Sequence, residues 1–156
     1  MTSSRIGSRS GRAAAGSLLV LALLASGIAT DHARAAAPHA RVERLLALTN
    51  DARTEHGRSA LALNAKLSRY AKAHSRQMAE EGRLFHSEDL AAQLDGLEWT
   101  VGGENVGVGS SLTDLQEAFL ASKPHRRNVL RKAYDHAAIG IVKSDGNLWV
   151  TVIFYG

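Results

Sequence analysis

Few side chains in this 156-residue chain are equipped for chemistry, and they stand apart from one another. There is no cysteine, which excludes thiol catalysis and thiolate-bound zinc. The best leads are His86 and His125, because imidazole serves as acid, base or metal ligand near neutral pH. Neither belongs to a His-Glu-x-x-His helix or to a zinc-finger spacing, so a metal site would have to be assembled from distant segments. Taken singly, each histidine reads first as a polar surface or capping residue. Ser87 adjoins His86, and Ser122 lies three residues before His125. An imidazole could activate either hydroxyl, but Ser122 also suits a helix cap, and no Gly-x-Ser-x-Gly elbow is present. Glu104 and Glu117 are candidates for an acid/base pair, although Glu117 sits mid-helix beside Gln116 and reads as solvated. Glu104 and Asn105 are embedded in VGGENVGVGS, among glycine, valine and serine. Gly102, Gly103, Gly107 and Gly109 there match neither a phosphate loop nor a dinucleotide fingerprint, so a nucleotide cofactor is not expected.

The elements that must position these residues follow from periodicity. A helix is expected from Pro38, in its first turn, to a stop at Gly57, with Val42, Leu45, Leu46 and Thr49 on one face. A second runs from an Asn64 cap to Gly82, with Leu67, Tyr70, Ala71, His74 and Met78 as its stripe. His74 therefore reads as a hydrogen-bonded core residue outside any site. Residues 83–112 read as irregular, with a helical turn or two in EDLAAQLD. Thr113 and Gln116 suggest a capping box opening a helix that buries Leu115, Ala118 and Phe119. Ser122 or Lys123 then caps another helix, with Pro124 in its first turn. The chain closes in a hairpin about Asp145-Gly146. Its second strand is apolar on both faces, as in a central strand covered on each side, with Trp149 and Phe154 buried on opposite faces. These readings combine into an α+β fold, a three-layer α-β-α sandwich around a central antiparallel sheet.

The first residues read differently. Arg5, Arg9 and Arg12 precede an apolar or small run from Ala13 to Ala29, and an Ala-x-Ala site follows at Ala33-Arg34-Ala35. Those are the parts of a secretory signal peptide, so residues 1–35 are expected to be removed and residues 36–156 to form one domain. No stable membrane span is expected after cleavage. Residues 1–35 hold four Arg and one Asp, so the remainder carries 15 basic and 14 acidic side chains, a balance of +1. That balance, with no like-charge run or basic stripe interleaved with aromatics, argues against a nucleic-acid partner.

The order of motifs resembles the CAP superfamily, the SCP domain shared by cysteine-rich secretory proteins, antigen five and pathogenesis-related one proteins. The segments carrying the resemblance are LTNDARTEHG, His86, GGENVGVG, FLASKPHRRNVL and NLWVTVIFYG, over about residues 42–156. The likeness is strongest to the compact bacterial branch. It implies an α-β-α sandwich with a cleft at His86, Glu104, Asn105, Ser122 and His125. The second acidic residue of animal and plant members falls at Ser122, and Lys123-Pro124 replaces Pro-Gly before the histidine. Asn50 and Arg53 match the first-helix motif, with a structural role. The glycines around Glu104 are expected to let the backbone bend toward the cleft. The function implied is a secreted or periplasmic binding module for an extracellular or envelope ligand. His86, His125 and Glu104 would hold a divalent metal such as zinc. The alternatives are a metal-assisted hydrolase and a lipid carrier.

Overall fold

The computed structural model describes the backbone of residues 25–156 and side chains from residue 38 onward. Most of the expected export segment therefore lies outside the described residues. The main compact unit spans Arg34–Gly156.

Helix α1 covers Ala25–Glu55, so Pro38 falls inside it rather than in its first turn. The alanines before Pro38 are strong helix formers and extend the helix backwards past the lost main-chain hydrogen bond. α2 covers Ala65–Glu81. The Asn64 side chain accepts the Leu67 N–H at 2.9 Å, and Gly82 ends the helix in the left-handed conformation at φ 63°. α3 is one short turn, Leu90–Leu94, capped by Asp89. α4 covers Leu112–Ala121 and α5 covers Lys123–Leu130. The cap of α4 is Ser111, whose Oγ accepts the Asp114 N–H at 3.1 Å, not Thr113. Gln116, expected to close a capping box, instead accepts the Thr49 hydroxyl at 3.1 Å. Ser122 is shared by the end of α4 and the start of α5, and its hydroxyl makes no capping bond.

Strands β1 (Ala62–Leu63), β2 (Gly102–Gly109), β3 (His136–Ser144) and β4 (Asn147–Tyr155) form one sheet in the order β1-β3-β4-β2. The three long strands are antiparallel, as expected, but β1 runs parallel to β3, so the sheet is mixed. Asn50 holds β1 there. Its side chain donates to Leu61 O at 3.1 Å and accepts the Leu61 N–H at 2.8 Å. Asp145 and Gly146, with φ 48° and 81°, make the hairpin turn that only such residues adopt readily.

The sheet separates two clusters. On one face Leu45, Leu115, Phe119, Val129 and Tyr134 pack on Ile139, Val150, Val152 and Phe154. On the other, Leu67, Ala71 and Leu94 cover Ala138, Ile153 and Tyr155. Phe154 is buried, whereas Trp149, expected to be buried as well, is only half-buried near the hairpin end of β4. A Cβ at Gly140 would fall on the main chain of Ala71, so this glycine sets how closely α2 lies on the sheet. Arg53 is fully buried and donates to the carbonyls of Ser59, Val129, Arg131 and Tyr134 at 2.8 to 3.1 Å. Burial, and then the neighbouring Arg58 charge, lower its pKa from the ordinary value. These bonds tie α1 to the end of α5.

Candidate functional site

The segment around Glu104 is an edge strand, not an irregular loop. None of Gly102, Gly103, Gly107 or Gly109 has a positive φ, so these glycines do not serve a bend. They serve close approach. A Cβ on Gly103 would strike the Tyr134 hydroxyl and come within 2.9 Å of Asn128 Oδ1. One on Gly107 would lie 3.0 Å from Phe119 and 3.1 Å from Leu115. Residues 103, 105, 107 and 109 share one face of β2 because strand side chains alternate, and α4 and α5 press on that face. Asn105 is the one non-glycine among them.

Glu104 and Asn105 consequently turn to opposite sides. Glu104 pairs with Ile153, on the α2 side, and Asn105 with Val152, on the α5 side. The Glu104 side chain is only 4% exposed and its carboxylate is tightly held. Oε1 accepts from His86 Nδ1 at 2.8 Å and from the Ser87 N–H at 3.0 Å, and Oε2 accepts the Ser87 hydroxyl at 2.5 Å. Such charge-assisted bonds are what make a buried carboxylate tolerable. Because a carboxylate only accepts, the His86 proton sits on Nδ1 and the lone pair of Nε2 points away. The His86 side chain is 60% exposed, so that nitrogen is presented on an open ring.

His125 stands in the first turn of α5, half-buried, with its ring edge-on to Phe119 at 5.4 Å. Burial lowers its pKa, and the nearby His86 charge lowers it further, so the neutral ring is favoured. Asn105 anchors this turn: its Nδ2 donates to His125 O at 3.1 Å, and its Oδ1 accepts from Asn128 Nδ2 at 2.9 Å. Asn128 also donates to Glu104 O at 3.0 Å. Ser122 lies at the helix junction with no side-chain bond to Glu104, His86 or His125, and Glu117 is exposed on α4.

Two participants escape sequence reasoning. Ser87, weighed as a nucleophile, spends its hydroxyl and its N–H on Glu104. His74 is the buried, hydrogen-bonded residue expected, with Nδ1 3.2 Å from Thr151 Oγ1, yet Nδ1 also lies 3.9 Å from Glu104 Oε2. Its Nε2 is buried without a partner. The stripe of α2 reveals its burial but not its neighbour, since only the sheet brings β2 alongside. A polar cavity of about 300 Å³ opens here, lined by Tyr70, His74, Gln77, Phe85, His86 and Ser87 among others. Among the described residues, no group of three His, Cys, Asp or Glu side chains is arranged to hold a metal ion.

An α-β-α sandwich whose edge strand carries Gly-Glu-Asn is the fold of an SCP-type domain. Residues 46–154 match the family model described as the cysteine-rich secretory protein family, CAP, and the chain belongs to that family. It does so without a single cysteine. It is 28% identical over 114 residues to the uncharacterized protein YkwD of Bacillus subtilis, covering 69% of this chain and 44% of that protein. Among solved structures, an extracellular SCP-domain protein of Bacillus anthracis superposes with a TM-score of 0.64 at 22% identity, over 72% of this chain and 39% of the other. A cysteine-rich secretory protein of Staphylococcus aureus gives 0.64 at 25% identity, over 76% and 39%. An outer surface protein of Borrelia burgdorferi gives 0.64 at 16%, over 74% and 91%. The chain thus spans less than half the length of the first relatives it matches. Among the described residues, no helix is long and apolar enough to cross a membrane.

Proposed function

We propose that this chain is an extracytoplasmic binding module whose edge-strand site takes a divalent cation, zinc being the natural probe, between His86 and His125. The observation that carries the reading is the Glu104–His86 bond. It fixes the proton on Nδ1 and presents Nε2 as a lone pair, the arrangement by which a carboxylate behind a histidine orients a metal ligand. The depressed pKa of His125 supports it, because a neutral imidazole is the form that ligates. A metal bound there would supply Lewis acidity and complete its shell with water or ligand groups. Glu104 would orient rather than ligate, since both its oxygens are engaged by His86 and Ser87. The hydrolase alternative has less support, because catalytic zinc is usually held by three protein ligands and no such group of three is found among the described residues. An extracytoplasmic setting is supported by the basic, apolar and Ala-x-Ala order of residues 1–35 and by the family membership.

Zinc titration calorimetry of the full chain tests this. Binding is expected at pH 7.5 and should weaken toward pH 5.5, as protonation removes imidazole lone pairs. His125, with its lowered pKa, keeps its lone pair below about 6.5, the ordinary imidazole value. His86→Ala and His125→Ala should each weaken binding. Glu104→Gln should weaken it about 10- to 100-fold, the effect typical of a lost orienting partner. No zinc binding by the wild-type chain at pH 7.5 would remove the metal. The three residues would then be a polar network tying the 83–100 segment to the sheet.

A further inference from the structure

We propose that the outer face of α5 is a docking surface for a linear, phosphate-bearing polyanion. The whole-chain charge balance conceals it. Between Glu117 and Asp135 there are five cations, Lys123, Arg126, Arg127, Arg131 and Lys132, and no carboxylate. The stripe has no aromatic among its lining, and the near-zero balance averages these cations against acids elsewhere in the chain. Lys123, Arg126, Arg127, Leu130 and Arg131 line a groove of about 440 Å³. Lys123, Arg127 and Arg131 follow one another at four-residue intervals and form a single ridge, the spacing at which like charges repel along a helix.

None of the ion pairs among the described residues engages these cations. Arg126 is held instead by a neutral group. His56 Nδ1 lies 2.8 Å from Ala52 O and must donate to it, so His56 Nε2 is the acceptor facing Arg126 Nη2 at 3.0 Å. That contact positions the guanidinium without neutralising it. Arg58, which donates from Nε to Leu130 O at 3.0 Å, brings a further cation to the C-terminal end of α5. Helix dipole alone does not account for the ridge. Cations suit the C-terminal end of α5, where Arg127 and Arg131 stand, but Lys123 opens the helix, where positive charge is unfavourable.

The lining selects the occupant. Guanidinium forks match phosphate oxygens two at a time. Leu130, half-buried, is the single apolar side chain in the groove and offers nothing to insert into hydrocarbon. From Lys123 to Arg131 the ridge extends about 12 Å at 1.5 Å per residue, which suits a chain of repeating charges. Val129 and Asn128 occupy the side of α5 turned to β2, so this surface is separate from the His86–Glu104 site and does not rest on the reading given to it.

The test is fluorescence anisotropy of the full chain with end-labelled linear inorganic polyphosphate of defined length. Binding is expected, with affinity falling about 20-fold from 50 to 200 mM salt if about three phosphates are engaged. Lys123→Gln/Arg127→Gln removes two exposed charges from the ridge. It should weaken binding by more than about tenfold and flatten the salt dependence by about 1 to 2 in log–log slope. Arg69→Gln/Lys72→Gln removes the same charge from exposed positions on α2 and should change affinity less than about twofold. Circular dichroism checks that both variants are folded. Equal losses in the two variants would reduce the effect to net charge and overturn the proposal. So would no binding by the wild-type chain at 50 mM salt, or tighter binding to phosphatidylglycerol vesicles than to polyphosphate.

Discussion

Replacing Asn105 by Asp tests whether one amide holds His125 in position. Asn105 is fully buried and is the one non-glycine that β2 turns toward α5. The substitution keeps its shape and the oxygen that accepts from Asn128, but turns an oxygen toward His125 O where an N–H donated at 3.1 Å. At pH 7.5 the variant loses a hydrogen bond worth about 1 kcal/mol and sets a buried carboxylate oxygen, itself left short of a donor at about 1–3 kcal/mol more, against the His125 carbonyl. The introduced carboxyl must also be buried. A net loss of about 3–4 kcal/mol is expected, enough to exhaust much of a small domain's stability. The carboxyl can relieve this by taking a proton, since its OH would then donate to His125 O. Its folded pKa should therefore lie above the unfolded value of about 3.9, so the folded state binds the proton more tightly. Between those two pKa values, lowering the pH stabilises the variant, and its deficit against wild type should shrink as pH falls from 7.5 toward 4.

Both chains carry an opposite trend from His125. Its folded pKa is depressed, so the unfolded chain takes up a proton near 6.5 before the folded chain does, and stability falls as pH drops through that window. The introduced carboxylate raises the His125 pKa, so this opposite trend is smaller in the variant and its deficit against wild type shrinks further in acid. Urea unfolding followed by tryptophan fluorescence at pH 7.5, 6 and 5 gives the comparison. Equal stability at pH 7.5 would mean that Asn105 does not clamp α5. A deficit that holds constant or grows in acid would mean that the carboxyl does not face the His125 carbonyl.

Two further outcomes follow from the core and from the start of the chain. Phe154, fully buried and stacked on Tyr134 at 5.7 Å between centroids, should cost about 3–5 kcal/mol when replaced by Ala, measured by urea unfolding. A loss below about 1 kcal/mol would refute the central place given to β4. N-terminal sequencing of exported protein should begin at Ala36, placing Pro38 in the first turn of a shortened α1, where its missing N–H costs nothing. Exported chain that still begins with Met1 would refute cleavage.

What was legible in the sequence is what depends on neighbours in the chain. The Asn64 cap, the Gly82 stop and the Asp145-Gly146 turn are local chemistry, and they stand where their residue types put them. The cap of α4 was misplaced by two residues because Ser111 and Thr113 offer the same hydroxyl, and only the extended backbone at Ser111 decides between them. β2 was illegible for a different reason. A half-buried strand announces itself by alternating side chains, but here one face is nearly stripped of them so that Tyr134, Phe119 and Leu115 can approach. The demand for glycine comes from residues far along the chain, which no window on VGGENVGVGS contains. The same packing explains why two adjacent residues divide their work. Asn105 must face the helices and clamp α5, which leaves Glu104 facing α2, where it meets His86, Ser87 and His74. His86 is therefore bound on the α2 side of the sheet through Glu104, and the turn that carries His125 on the α5 side through Asn105. A one-residue slip of β2 against β4 would exchange the two faces, putting the carboxylate against α5 and the amide beside His86.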